Sequence, residues 1–217
     1  MPEEKFSEKT VVLVHGLWMQ GWAMALMGLR LKRCGFRTAI FSYPSMRNSL
    51  SQNAHILSDF VAGITSSHIH FVGHSLGGLL IMQMLSECPD KRTERIVLAG
   101  SPCQANYVAS KLARFKLGRY LIGHSMLQYL KQNLPECTDR CEVGSIAGSR
   151  SLGAGRLLGG LPDPNDGVVA VEETRMSGLH DQITLNVSHS GMLISASVAK
   201  QVCIFLQNGS FSHSPKL

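Results

Sequence analysis

One short turn sequence in the first half of the chain limits the possible fold more than any other feature. Residues 73–78 read Gly-His-Ser-Leu-Gly-Gly and directly follow the apolar run at 69–72. Glycine on both sides of Ser75 permits a turn from strand to helix that is too tight for a larger residue at either flank. Ser75 would then lie at the tip of the turn, with its hydroxyl exposed above a sheet. The pattern predicts a nucleophile elbow, in which the amide of Leu76 at a helix N-terminus faces a developing oxyanion.

A serine at such a turn needs two further groups, because its hydroxyl alone is a poor nucleophile. The elbow therefore predicts a general base and an acidic residue that orients the base. In α/β folds with this elbow, the acid and then the base follow the serine along the chain. Asp166, in a turn-rich loop, and His189, after the strand-like run at 183–187, fit that order. Asp163 lies in the same loop and competes for the acidic role.

The first apolar run of the chain predicts the remaining part of the site. Residues 11–14 are apolar and stop at His15 and Gly16. In sites of this kind, the loop after that strand supplies the second oxyanion donor. We assign this donor to the amide of Leu17 and keep the amide of Trp18 as the alternative.

These segments together resemble the α/β-hydrolases, and within them the compact bacterial lipases and esterases. The resemblance runs from residue 11 to about residue 191 and rests on His15-Gly16, the elbow at 73–78, Asp166-Gly167-Val168-Val169 and Ser188-His189-Ser190-Gly191. It implies esterase or lipase activity through an acyl-enzyme on Ser75, with His189 as base and Asp166 as orienting acid. It favours Asp166 over Asp163, because it extends through the residues that follow Asp166.

Alternating strand and helix patterns predict a mostly parallel sheet of about six strands with helices on both faces. Strands are expected near 10–14, 38–42, 69–73, 95–100, 142–147 and 183–187, and helices near 20–34, 50–64, 77–87, 105–117, 122–132 and 192–207. Ser49 and Gln52 form a capping-box pattern that marks the start of the second helix. In the full-size fold the strand before His15 is the third, so a minimal form is expected. A length of 217 residues with 44% hydrophobic content predicts a single domain over 1–217.

Residues 103–140, between the fourth and fifth predicted strands, predict a helical lid or cap insertion. They contain six basic and two acidic residues, in a chain whose formal net charge is +6. One interpretation is an amphipathic lid whose basic face makes transient contact with an anionic lipid surface or an acidic substrate. The other is an ordinary packed helix pair with a solvated face.

Apolar residues near the motif loops favour an acyl ester with an apolar chain as the substrate. We expect substrate contacts from Trp18, Met19, Trp22 and His74. Other methionines nearby are interpreted as either pocket wall or core. A thioesterase, an amidase or an acyltransferase would use the same three residues, and a non-catalytic binding module of this fold is the remaining alternative.

Several classes of protein and site do not fit the sequence. No run of 18 apolar residues is present, which excludes a membrane-spanning helix, and the polar N-terminus predicts a cytoplasmic location. No basic-aromatic pattern supports nucleic-acid binding, and no metal or cofactor is expected. The cysteines at 34, 88, 103, 137, 141 and 203 are predicted to be free thiols, with a local bridge or metal site at 137 and 141 as the alternative.

Overall fold

Central strands that are rich in buried apolar residues form a sheet that helices cover on both faces. A computed structural model of the protein describes residues 9–104, 106–131, 141–152 and 161–213. The strands in this part of the chain are β1 (Lys9–Val14), β2 (Arg37–Phe41), β3 (His68–His74), β4 (Thr93–Ala99), β5 (Glu142–Gly148) and β6 (Asp181–Leu185). The helices are α1 (Ala25–Arg33), α2 (Leu50–Ala62), α3 (Leu76–Glu87), α4 (Tyr107–Leu112), α5 (Lys116–Tyr129) and α6 (Ala196–Asn208).

All six strands are parallel and lie in the order β2-β1-β3-β4-β5-β6. The carboxyl ends of the strands therefore meet at one edge of the sheet. The chain runs outward from β1 in both directions, so a crevice forms where the loops after β1 and β3 diverge. Val14 pairs with Gly73 at this point, which places the two predicted motif loops side by side.

Alternate residues of each strand face opposite helical layers. Val12 and Val14 pack with one buried cluster that includes residues of α2 and α3. Val11 and Leu13 pack with a second cluster that includes residues of α1 and α6. No helix among the described residues is long and apolar enough to cross a membrane. The predicted α/β sheet with helices on both faces is confirmed.

The helices between β4 and β5 differ in detail from the prediction. The first ends at Leu112 and the second begins at Lys116, several residues earlier than expected. Gly123 interrupts α5 with a φ of 68°, and a β-carbon there would lie 2.8 Å from Met46 Cα. Hydrophobic spacing predicts where helices lie, but it does not predict a kink of this kind. Residues 105 and 132–140 of the predicted insertion lie outside the described residues.

The prediction of free thiols is wrong for one pair of cysteines. Cys34, at the end of α1, forms a disulfide with Cys203 on α6, and their Cα atoms lie 6.5 Å apart. The two residues are 169 positions apart in the chain. They meet because α1 and α6 cover the same face of the sheet, which sequence spacing does not reveal. Cys137, of the alternative pair, lies outside the described residues.

Candidate active site

The turn between β3 and α3 holds Ser75 in an unusual backbone conformation. Its φ is 53° and its ψ is −121°, in a region that residues other than glycine rarely adopt. The Ser75 N–H donates to the carbonyl oxygen of Ala99 at 2.9 Å, which ties the turn to the end of β4. Strain of this kind persists only where surrounding contacts over-determine it, and it is concentrated at functional sites.

Two positions of the elbow must be glycine because neighbouring backbone atoms lie too close for a side chain. A β-carbon at Gly73 would lie 2.5 Å from Gly78 Cα, where the strand passes the new helix. A β-carbon at Gly77 would lie 2.3 Å from the carbonyl oxygen of Val14 at the end of β1. Neither contact is sterically possible without a backbone shift. The glycine pattern of the sequence therefore has the steric origin that the elbow predicts.

The structure brings His189 and Asp166 together from different loops. His189 Nδ1 lies 2.7 Å from Asp166 Oδ2, and both residues are buried. The other carboxylate oxygen, Oδ1, accepts the N–H groups of Val168 at 2.9 Å and Val169 at 2.8 Å. The His189 N–H also donates to the carbonyl oxygen of Asp166 at 3.0 Å. A carboxylate at Nδ1 favours the tautomer with the proton on Nδ1, which leaves the Nε2 lone pair available as a base.

Asp163, the competing acid of the sequence analysis, lies in a different environment. Its Oδ1 accepts the side-chain N–H of Asn165 at 2.6 Å. Asn165 Oδ1 in turn accepts the N–H of Gly167 at 2.9 Å. These hydrogen bonds make Asp163 part of the turn that shapes the loop, whereas Asp166 is the carboxylate at His189.

His74 supports the imidazole of His189 through the backbone. Its Nε2 donates to the carbonyl oxygen of His189 at 3.0 Å, and the two ring centroids lie 4.8 Å apart. Burial, with a smaller effect of His189, lowers the pKa of His74 to about 3, so the ring is neutral at ordinary pH. His74 was predicted as a substrate contact; it borders the cavity described below, and it also holds the loop that carries His189.

His15 fixes the loop after β1. Its Nδ1 donates to the carbonyl oxygen of Gly16 at 2.8 Å, and its Nε2 accepts the N–H of Tyr43 at 3.3 Å. The Tyr43 hydroxyl donates to the His15 carbonyl oxygen at 3.0 Å, and the two rings stack at 4.5 Å. Burial lowers the pKa of His15, which keeps the ring in this neutral arrangement. The loop held in this way carries Leu17 and Trp18.

A cavity of about 290 Å³ opens above Ser75. Ser75 and His189 both border it, together with mostly apolar residues of the β1 loop and of helices α4 and α5. The lining residues are Leu17, Trp18, Met19, His74, Ser75, Asn106, Val108, Ala109, Leu112, Ile122, Met126, Leu152, Val168, His189 and Ser190. The predicted nucleophile and base therefore face one largely apolar space beneath the insertion.

The sequence profile of the alpha/beta hydrolase family matches residues 11–163. The chain belongs to this family. The matched residues include the β1 loop and the elbow and end before Asp166 and His189. None of the curated protein sequences compared with the chain matches it.

Solved structures with a similar fold include proteins described as a lipase, a carboxyl esterase and a thioesterase. The mature Bacillus licheniformis lipase BlEst2 is 18% identical, with a TM-score of 0.73 over 92% of this chain and 91% of that chain. The metagenomic carboxyl esterase MGS0156 is 20% identical, with a TM-score of 0.64 over 84% of this chain and 65% of that chain. The RedJ thioesterase of Streptomyces coelicolor is 12% identical, with a TM-score of 0.62 over 94% and 86%.

Not every residue predicted to contact substrate borders the cavity of this alpha/beta hydrolase. Leu17, Trp18, Met19 and His74 do so, whereas Trp22 is 78% exposed on the short turn Gly21–Met24 and is not among the lining residues. The further methionines at 24, 27, 82 and 84 are buried in the core.

Several residues of the site were not identified from the sequence. They include Tyr43, which holds His15, and Asn106, a polar residue of the insertion that borders the cavity. They lie in no motif, and their position depends on how β2 and the insertion pack over the sheet.

Proposed function

We propose that the protein is a serine hydrolase that cleaves carboxylic esters through an acyl-enzyme on Ser75. The observation that carries this proposal is the 2.7 Å contact of His189 Nδ1 with Asp166 Oδ2 beside the strained elbow. A nucleophile, a base and a group that orients the base are the parts that acyl transfer requires. Ser75 and His189 border a mostly apolar cavity, which suits the acyl part of an ester.

The reaction proceeds in two halves. In the first, His189 Nε2 takes the proton of Ser75 Oγ while Oγ forms a bond to the ester carbonyl carbon. The bond to the alcohol then breaks, and the alcohol leaves with the proton from His189. In the second, His189 takes a proton from water while the water oxygen attacks the acyl carbonyl carbon. The bond from that carbon to Ser75 Oγ then breaks, His189 returns the proton to Oγ, and the acid is released.

The negative charge that develops on the carbonyl oxygen needs two backbone donors. Leu76 is the first residue of α3, so its N–H lies at the positive end of a 12-residue helix. The second donor is the N–H of Leu17, in the loop that His15 and Tyr43 hold. Each such donor lowers the activation free energy by about 3 kcal/mol.

A thioester is the second candidate substrate, because a thioesterase is among the proteins of this fold.

The first test is hydrolysis of nitrophenyl esters of increasing acyl length, with a matched thioester and anilide in the same preparation. We expect ester turnover to rise with acyl length until the cavity is filled, by about fourfold in kcat/KM per methylene, since each buried methylene contributes about 0.8 kcal/mol. Faster thioester than ester turnover would favour the second candidate. Absence of turnover together with no fluorophosphonate labelling of Ser75 would contradict both and favour a binding module.

The insertion also presents a surface that suits an anionic lipid layer. Phe115, Leu117 and Tyr120 are 66%, 72% and 78% exposed, and three exposed cations lie among them, namely Arg114, Lys116 and Arg119. The sequence has no acidic residue between Glu94 and Glu136. Apolar side chains flanked by cations are typical of segments that lie in a membrane interface. We propose that this surface makes transient contact with anionic membranes.

Removal of the three cations in an R114Q/K116Q/R119Q variant tests this contact. Each cation near an anionic surface contributes about 1 kcal/mol, so affinity for phosphatidylserine vesicles should fall about 100-fold. Turnover of a short soluble ester should stay near the original value. The control, K32Q/R33Q/R37Q, removes the same charge from exposed positions at the end of α1 and the start of β2. Equal loss of vesicle binding in both variants would mean that total charge, not this surface, is responsible.

A further inference from the structure

A buried carboxylate that takes no part in the proposed reaction links the acid loop to the insertion. Glu173 lies on the short turn Glu172–Thr174 and is 8% exposed. Its Oε1 accepts the N–H of Tyr107 at 2.5 Å, and its Oε2 accepts the N–H of Ala170 at 2.8 Å. Burial raises the pKa of Glu173, while the two N–H donors act in the opposite direction. A buried carboxylate is costly unless its oxygens are hydrogen-bonded, so these two contacts account for its place in the fold.

The two donors belong to two segments beside the active site, helix α4 and the loop that carries Asp166. Tyr107 is the first residue of α4, whose residues Val108, Ala109 and Leu112 line the cavity. Ala170 forms an isolated bridge with Asn165, and this bridge closes the loop that carries Asp166. The Glu173 side chain therefore connects α4, which lines the cavity, to the loop that carries Asp166.

The turn that carries Glu173 is itself anchored to the sheet. Ser145 Oγ, in β5, donates to the carbonyl oxygen of Thr174 at 3.1 Å. The Glu173 N–H donates to the Ala170 carbonyl oxygen at 3.0 Å, and the Gln104 N–H donates to the Glu173 carbonyl oxygen at 3.0 Å. The carboxylate thus extends from a fixed point toward α4.

We propose that Glu173 is a positioning residue that holds α4 in place over the cavity and thereby determines which acyl chains the site accepts. The proposal rests on the ester hydrolysis proposed above. A helix held at its first residue keeps its apolar side chains at a fixed depth, and such preorganisation favours a ligand long enough to contact them. A short acyl group does not reach α4, so this arrangement contributes less to its binding free energy.

Both oxygens of Glu173 face N–H donors, so an amide in its place satisfies only one of them. In Glu173→Gln the amide nitrogen would face an N–H, and one of the two links would be lost. The matched control is Glu172→Gln, because Glu172 is the preceding residue on the same turn and its side chain is 68% exposed. Glu172 contacts Arg175 at the surface, so the control removes the same charge without touching the link.

Two readouts test the proposal, with the original protein measured in parallel. The first is the ratio of kcat/KM for a long-chain to that for a short-chain nitrophenyl ester, which should fall at least tenfold in E173Q through a higher KM for the long ester. The second is amide hydrogen exchange at 107–112, which should accelerate at least tenfold in E173Q and stay unchanged in E172Q. If the ratio of kcat/KM for the long ester to that for the short ester (the length ratio) does not change in E173Q, the specificity role is overturned. An equal fall of kcat/KM on both esters has the same meaning. If amide hydrogen exchange at 107–112 is unchanged in E173Q, the link from Glu173 to α4 is overturned, whatever the result for ester turnover. Failure of the proposed function is recognised separately, because the original protein would then hydrolyse neither ester.

A second pair of variants guards against poor folding of E173Q. Tyr107→Pro removes the N–H that Glu173 accepts, at the first position of a helix, where proline is well tolerated. Asn106 before it is already extended, with φ −94° and ψ 112°, as a residue before proline prefers. Tyr107→Ala removes the same aromatic ring and keeps the N–H. The length ratio should fall in Y107P and not in Y107A, and equal ratios in the two variants would contradict the proposal.

Discussion

Replacing Ser75 with alanine should reduce kcat for the best nitrophenyl ester by about 10⁶-fold, since loss of the nucleophile in subtilisin has an effect of this size. In the proposed mechanism the hydroxyl oxygen of Ser75 forms the bond to the acyl group, and no neighbouring group replaces it. The elbow should remain folded, because its conformation depends on the glycines and on the Ser75 N–H to Ala99 hydrogen bond, which alanine retains. Steady-state kinetics and a thermal unfolding midpoint measure the two effects.

Ser190 provides the matched control for this substitution. It borders the same cavity and follows His189 directly, so Ser190→Ala removes a serine hydroxyl from the same space. We expect S190A to keep most of its activity and its fluorophosphonate labelling. If S75A retained turnover, or if S190A abolished it, Ser75 would not be the nucleophile.

The parts of the site that could be predicted from the sequence are those with local steric or chain-order requirements. Gly73 and Gly77 are needed within a few residues of Ser75, because backbone passes within 2.5 Å of where their β-carbons would lie. The strands could be predicted for a similar reason, since strands covered on both faces give continuous apolar runs. A local cause leaves a local pattern in the sequence.

Contacts between distant parts of the chain left no such pattern. His74 holds His189 across 115 positions, and Glu173 reaches Tyr107 across 66 positions. Each contact depends on how two segments that are distant in the chain meet at one edge of the sheet, and neither residue spacing nor composition reveals this. Gly123 shows a further limit of prediction from the sequence. A glycine within a helical pattern does not indicate whether the helix is kinked or straight.

Replacing Asp166 with asparagine should lower kcat by up to about 10⁴-fold with little change in fold, the cost of the same change in serine proteases. Asp166 Oδ2 accepts from His189 Nδ1, and an amide nitrogen at that position would favour the tautomer with the proton on Nε2. Nε2 would then have no lone pair for the Ser75 proton. The hydrogen bonds from Val168 and Val169 to Oδ1 remain possible in D166N, so the loop should keep its shape. Steady-state kinetics on the ester that serves for S75A measure the effect.

Asp163→Asn is the control for D166N. It removes a negative charge from the same loop but leaves the carboxylate that sets the tautomer of His189. Asp163 accepts a hydrogen bond from Asn165 and lies in the turn before Asp166, so D163N removes an equal charge without changing the partner of His189. We expect its kcat to fall far less than that of D166N, because the amide oxygen of asparagine can still accept from Asn165. If D163N proved the more damaging substitution, Asp163 would be the orienting acid. The 2.7 Å contact between Asp166 and His189 would then not be the one used in catalysis.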